Sequence, residues 1–315
     1  MGQVRDWDTY SRPRPRPESN RGLIFKYHPR PVGDIFRGKT AQIEVRESGP
    51  RQAEFKLPSL RGCDGSVLLD STPGKPAEKE HPANNPSLQG FEVIDEAKAQ
   101  IEAICPKTVS CADIVAFAAR DSAFMVRGIN YALPAGCRDG RVSLSDDIPQ
   151  NLSAPFFNAT QLEDNFARKG LSRDKMVTLS GAHSIGVSHC SSFSTRLYFF
   201  NATHPQDPFM DPNYVAFLKT KCPPSNAGAA INPTVALDIV TPNRLDNNIE
   251  EAPWGTDFRP DILSSPSMAK AVMYNAKYGS KWEAKFASAV VRMGYIDVLT
   301  GKHGEIRKNC HIVNY

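Results

Sequence analysis

A histidine stands in the run Val177-Thr178-Leu179-Ser180-Gly181-Ala182-His183-Ser184-Ile185-Gly186, behind a short apolar stretch and a small-residue turn, with a hydroxyl directly after it. Further on, Asp238, Thr241 and Asp246 supply hard oxygens within ALDIVTPNRLDNN. Imidazole suits iron, and clustered carboxylate and hydroxyl oxygens suit calcium. The pair suggests an iron held from one side by His183, as in a haem, in a region that calcium stiffens. Gly62, Asp64 and Ser66 form a second set, alternating so that a carbonyl, a carboxylate and a hydroxyl could converge; read alone, the same residues are a turn. His189 follows His183 by six residues, off the face that an i, i+4 zinc pair would share.

Helices must position these groups. The pattern reads as helical from Gly62 onward, with Ile94, Ala97, Ile101 and Ile104 on one face at steps of three and four. Ser110 and Asp113 look like a capping box ahead of a helix carrying Ile114, Phe117 and Ala118. Near the C-terminus Trp282, Phe286, Ala289, Val290 and Met293 form another stripe, which reads as core packing. Strand signals are few and short, so the chain reads as mainly α.

With 315 residues and 40% apolar content, a sizeable core can be buried. The net charge of +4 is uneven: residues 1–61 hold 13 Lys and Arg against 7 Asp and Glu, leaving 25 against 27 elsewhere. Arg12-Pro13-Arg14-Pro15-Arg16-Pro17 is polyproline-like and cannot be helical, so residues 1–60 read as a basic Pro/Arg-rich disordered arm. No apolar run is long enough for a membrane span, and the N-terminus lacks the apolar region of a signal peptide. Seven cysteines and sequons at Asn151, Asn158 and Asn201 nevertheless favour an oxidising, secretory compartment. The two observations conflict.

Five motifs in order settle the expectation: GCDGSVLLD at 62–70, AEKEHPANNPSLQGFEVID at 77–95, VSCADIVAFAARDS at 109–122, RDGR at 138–141 and LTGKHGEIRKNC at 299–310. Together with LSGAHS at 179–184 they resemble the secreted plant (class III) haem peroxidases. The resemblance implies a mainly α, two-lobed helical fold with haem b between the lobes, in a peroxidase domain spanning 61–315. It implies that His183 is the axial iron ligand, with a carboxylate on its far ring nitrogen. It assigns Ser184, Asp238, Thr241 and Asp246, with the Arg244 carbonyl, to a proximal calcium. Gly62, Asp64 and Ser66, supported by Glu78, fall to a distal calcium. Pro134 matches a substrate-contact position, and the disulfides expected are Cys111–Cys310 and Cys190–Cys222. Cys63, Cys105 and Cys137 are left unassigned, with a new bridge among them open. The implied reaction uses hydrogen peroxide to oxidise phenolic donors one electron at a time, in response to oxidative stress. The implied location is extracellular or vacuolar, with no nucleic-acid or membrane partner, and wall polyanions are a candidate partner for the arm.

The family pattern breaks on the distal side. Where members carry Arg-x-x-x-His-Asp-Cys, this chain has Gln52 for the arginine, Lys56 for the histidine and Leu57 for a calcium-binding aspartate, followed by Pro58. Asn84, which in the family orients the distal histidine, remains. After Asn248 the run IEEAPWGTDFRPDILSSP replaces the family's Ser-Asp-Gln turn, leaving Asp257 or Asp261 as candidate partners of His183. The alternative expectation is therefore a haem- and calcium-binding relative with little activity. A third reading is a polyanion-binding protein acting through the arm.

Overall fold

The computed structural model describes residues 62–224, 232–247, 262–263 and 265–315. Its main helices are α1 (Phe91–Ile104), α2 (Cys111–Arg127), α3 (Ala159–Arg168), α4 (Arg173–Ser180), α5 (Ser194–Tyr198), α6 (Pro212–Lys221), α7 (Pro266–Lys277) and α8 (Gly279–Gly294). The sheet among the described residues is one antiparallel pair, β1 (Val187–His189) and β2 (Thr234–Ala236), with Ser188 opposite Val235. The expectation of a mainly helical chain holds. No helix among the described residues is long and apolar enough to cross a membrane.

The helix expected from Gly62 starts only at Phe91. Gly65, Gly74 and Gly90 adopt positive φ there, and Pro76, Pro82 and Pro86 interrupt the same stretch, so residues 62–90 form turns and single 3-10 turns. In α1 the apolar stripe also ends early: Ala97 is buried, but Ile104, in the last turn, is 66% exposed. Ser110 does cap α2, its hydroxyl accepting from the Asp113 N–H at 3.0 Å. The reciprocal half of the box is absent. The Asp113 carboxylate instead accepts from the backbone N–H groups of Gly136 and Cys137, at 3.0 Å each, and pins that loop to α2. Burial raises the Asp113 carboxyl above its ordinary range, an effect only partly offset by those two bonds.

The main core centres on α8. Trp282, Phe286 and Ala289 are fully buried against Leu179 of α4 and Phe117 of α2. α4 packs on α8, α7 and α3 together. A separate core gathers Leu197, Met210, Tyr214, Val215, Leu218 and Val235 around the Cys190–Cys222 bridge. Cys111–Cys310 ties the start of α2 to the C-terminal segment. The open question among the thiols is answered by a Cys63–Cys137 bridge, with Cys105 free.

Candidate metal centre

α4 carries the histidine to its place. Ser172 caps the helix by accepting from Lys175 N–H, and Met176, Val177, Thr178 and Leu179 are buried. The chain tightens at once into the 3-10 turn Gly181–Ser184. Gly181 is required there by contact: a Cβ would sit 2.7 Å from the Trp282 ring. The same indole donates its Nε1–H to the Thr178 carbonyl at 3.2 Å, so Trp282 packs on the turn and bonds the last turn of α4. His183 projects outward, exposed, with Nδ1 3.0 Å from the Ser180 carbonyl oxygen. A carbonyl only accepts, so in this bond Nδ1 carries the proton and Nε2 the lone pair. That is the tautomer a metal-ligating imidazole needs. The carboxylate candidates for this ring, Asp257 and Asp261, lie outside the described residues.

Directly after His183 the chain turns into an oxygen cluster. Ser184 is fully buried, and its hydroxyl accepts from the Asp246 N–H at 2.9 Å. Gly186, at φ 104, then leads into β1, which pairs with β2, and Asp238 follows two residues after β2. Leu237 N–H donates to the Gly186 carbonyl at 3.0 Å, and Ile185 bridges to Asn243. Asp238 and Asp246 are only 4% and 2% exposed, and both point at the Thr241 hydroxyl: Oδ2 of Asp238 at 2.9 Å, Oδ2 of Asp246 at 3.2 Å. One hydroxyl has one proton and cannot satisfy two carboxylates together. Arg244, with Nε 3.6 Å from Asp246 Oδ2, contributes positive charge from an exposed position. Two buried anions facing one point suit a hard divalent cation well.

The second set also converges. Asp64 Oδ1 accepts from the Ser66 N–H at 3.1 Å and from its hydroxyl at 3.0 Å, and that hydroxyl lies 2.9 Å from Glu78 Oε1. Ser66 and Glu78 are buried. The Gly62 carbonyl accepts from Asp64 N–H at 2.9 Å, and a Cβ on Gly62 would meet the Ile296 carbonyl oxygen at 1.9 Å. Asn84 is buried with its amide donating to the Glu78 carbonyl at 2.8 Å, which joins it to this cluster. Pro134 is exposed on an extended run in which Ile129, Tyr131 and Leu133 are buried.

The family model "Peroxidase" matches residues 35–249. The chain is 51% identical to Peroxidase 5 of Vitis vinifera over 293 residues, covering 89% of this chain and 87% of that protein. It is 45% identical to Peroxidase 2 of Zea mays over 264 residues, covering 81% and 76%. It is 38% identical to Peroxidase 9 of Arabidopsis thaliana, covering 81% and 75%. The chain belongs to the peroxidase family.

Within this peroxidase, the family match begins at residue 35, ahead of Gly62 where the motif resemblance starts. Gln52, Lys56, Leu57 and Pro58 lie outside the described residues. Sequence reasoning missed two supports of the site. One is the Cys63–Cys137 bridge, which joins the Gly62–Ser66 turn to the loop after Pro134; nothing local in the sequence marks Cys137 as the partner of Cys63. The other is Asp139 of the RDGR motif, buried, which accepts from the N–H groups of Cys111, Ala112 and Arg307. A single carboxylate thereby joins α2 to the C-terminal segment. Arg307, also buried, donates to the carbonyls of Gly65 and Cys310, and closes the same knot.

Proposed function

We propose that this chain acts as a haem peroxidase, with His183 as the iron ligand and hydrogen peroxide and phenolic molecules as its substrates. The observation that carries the reading is the family match together with the outward imidazole whose Nδ1 is tied to Ser180. The residues fit the group: Nε2 of His183 would hold the iron, and the rigid α4–Trp282 support keeps the ring from turning. Haem bound there supplies an iron that takes electrons from donor molecules and passes them to peroxide. Ser180 holds the Nδ1 proton, which keeps Nε2 available and the ring fixed. Pro134 contributes an exposed, rigid surface at which a phenolic donor would rest.

Calcium enters the same reading as the counter-charge of two buried anionic clusters. Ser184, Asp238, Thr241 and Asp246 would hold the proximal ion; Gly62, Asp64, Ser66 and Glu78 would hold the distal one. Ser184 follows His183 directly, so a cation on the proximal set would stiffen the iron ligand through one peptide unit. Three disulfides and the secretory sequons support an extracellular protein. The test is expression under oxidising conditions with haem and calcium. The expected result is a Soret band with peroxide-dependent phenol oxidation; a haem-free product without turnover would overturn the reading.

A further inference from the structure

Cys63 stands between Gly62 and Asp64, two residues of the second oxygen set, and its sulfur is bonded to Cys137 in the loop after Pro134. Three features set this bridge apart from the other two. The first is access: Cys63 is half-buried, whereas Cys111, Cys190, Cys222 and Cys310 are at most 5% exposed. The second is that both of its ends are held without it. The Asp113 carboxylate accepts from Gly136 and Cys137 N–H, Gly140 N–H donates to the Asp64 carbonyl at 2.7 Å, and Gly62 N–H donates to the Ile296 carbonyl at 2.6 Å. Cutting the S–S bond therefore leaves the two sulfurs within reach of each other. The third is place. No cysteine of the other two bridges adjoins a residue of either oxygen set. The backbone holds Cys63 only loosely: its N–H reaches the Gly294 carbonyl at 3.4 Å, a long bond. The bridge is thus the firm hold on the residue that stands between Gly62 and Asp64.

We propose that Cys63–Cys137 is a thiol-operated control on the second calcium site. Closed, the bridge keeps the Gly62–Ser66 turn in the shape that brings Asp64, Ser66 and Glu78 together; open, it lets the turn relax and calcium leaves more readily. A dithiol opens it. One thiolate attacks the Cys63 sulfur, the S–S electron pair leaves on Cys137, and the second thiol then displaces Cys63 as the reagent becomes a disulfide. Hydrogen peroxide closes it. The Cys63 thiolate takes one peroxide oxygen as the O–O bond breaks, the Cys137 thiol attacks the resulting sulfenic sulfur, and the two oxygens leave as two waters. The oxidant that the enzyme consumes thereby sets the state of its own calcium turn. Binding couplings are reciprocal, so calcium resists opening of the bridge by the same factor that opening weakens calcium. The proposal deepens the peroxidase and calcium reading above and rests on it. Its test therefore reads thiols and calcium, and needs neither haem nor turnover.

The oxidised full chain is exposed to graded dithiothreitol, its thiols are trapped with an alkylating reagent, and the labelled cysteines are mapped by mass spectrometry. Cys105, free in both states, calibrates the labelling. The expected result is label at Cys63 and Cys137 before any at Cys111, Cys190, Cys222 or Cys310, and its loss after peroxide is added. Roughly tenfold more reductant should be needed with calcium than with a chelator. Reduction that begins at another bridge, that calcium does not alter or that peroxide does not reverse overturns the proposal. The weakening of calcium is read by calorimetry in the Asp246→Ala background, where the second site stands alone. Cys137→Ser should weaken that site roughly tenfold, and dithiothreitol should do the same to the chain that keeps its bridge. A second site indifferent to the bridge overturns the proposal and leaves the calcium reading standing. No second site even with the bridge closed overturns both.

Discussion

His183 gains its meaning from what surrounds it. A lone histidine after an apolar run could as well be a satisfied surface group; the Ser180 carbonyl at Nδ1 and the buried Trp282 packed on the turn support the proposed role as an outward-facing ligand. Because the ring projects from the end of α4 and fills no core, His183→Ala should abolish haem retention while leaving the far-ultraviolet helical signal nearly unchanged. Titrating haem into the variant and recording its Soret band checks this; wild-type stoichiometry would refute the assignment. At this scale the sequence is partly legible. The histidine, Ser184, Asp238, Thr241 and Asp246 could all be picked out by residue type. Trp282 could be read only as core, since the contact that makes Gly181 necessary crosses a hundred residues of chain.

At the scale of elements, the two oxygen clusters differ in how they are held. The proximal set flanks the β1–β2 pair, where the Ile185–Asn243 bridge joins the two stretches and Asp246 is tied to Ser184 by a 2.9 Å bond. The distal set rests on a turn, and by the resemblance Leu57 would stand where the family has a calcium-binding aspartate. Fewer charged oxygens bind calcium more weakly. Calorimetry should therefore find one tight site that Asp246→Ala removes and a second, weaker site that survives it; two equally tight sites would show that another group substitutes for the missing carboxylate. The helices themselves were readable from periodicity: of their predicted stripes α2 buries Ile114 and Phe117 and α8 buries Trp282, Phe286, Ala289 and Val290, while Ala118 and Met293 are only half-buried. Residues 62–90 were not, because alternating glycines and prolines override apolar spacing, and positive φ at Gly65 and Gly74 leaves no trace in a hydrophobic pattern. The half-formed capping box fails for a related reason: the Asp113 carboxylate finds two donors in a loop more than twenty residues away, which local spacing cannot reveal.

Over the whole molecule, long-range ties close the chain on itself, and one of them is sensitive to pH. The C-terminal His311 lies between two carboxylates, Nδ1 2.9 Å from Asp70 and Nε2 2.7 Å from Asp95, and its carbonyl accepts from Asp70 N–H. Burial alone would lower its pKa and nearby Lys79 acts the same way, but the bonds to Asp70 and Asp95 outweigh both and raise it above the ordinary value. A raised folded pKa means stability fully present below the unfolded pKa of about 6.5 and lost as pH climbs through the folded one. The stability gap between wild type and His311→Gln should accordingly be widest at mildly acidic pH and close on the alkaline side; a gap that widened with pH would contradict the tether. The other whole-molecule question is whether the two sides of the centre are matched. On the reading proposed above, the proximal side would have its ligand and its cation set, whereas Gln52 and Lys56 would stand at the distal positions in place of an arginine and a histidine. Lysine at its reference pKa of about 10.4 is protonated at neutral pH and cannot accept a proton from peroxide. A positioned general base contributes about 10²–10⁴-fold and an electrostatic partner about 10²–10³-fold, and because the two act together their losses do not simply multiply. If haem binding rests on His183 and turnover on the distal pair, as proposed, the two should separate experimentally. Replacing Gln52 to Pro58 by an Arg-x-x-x-His-Asp-Cys segment should leave the Soret intensity per chain unchanged and raise the rate of phenol oxidation by orders of magnitude. Equal turnover of the unmodified and restored chains in stopped-flow assays would mean that another residue of this peroxidase already supplies the base.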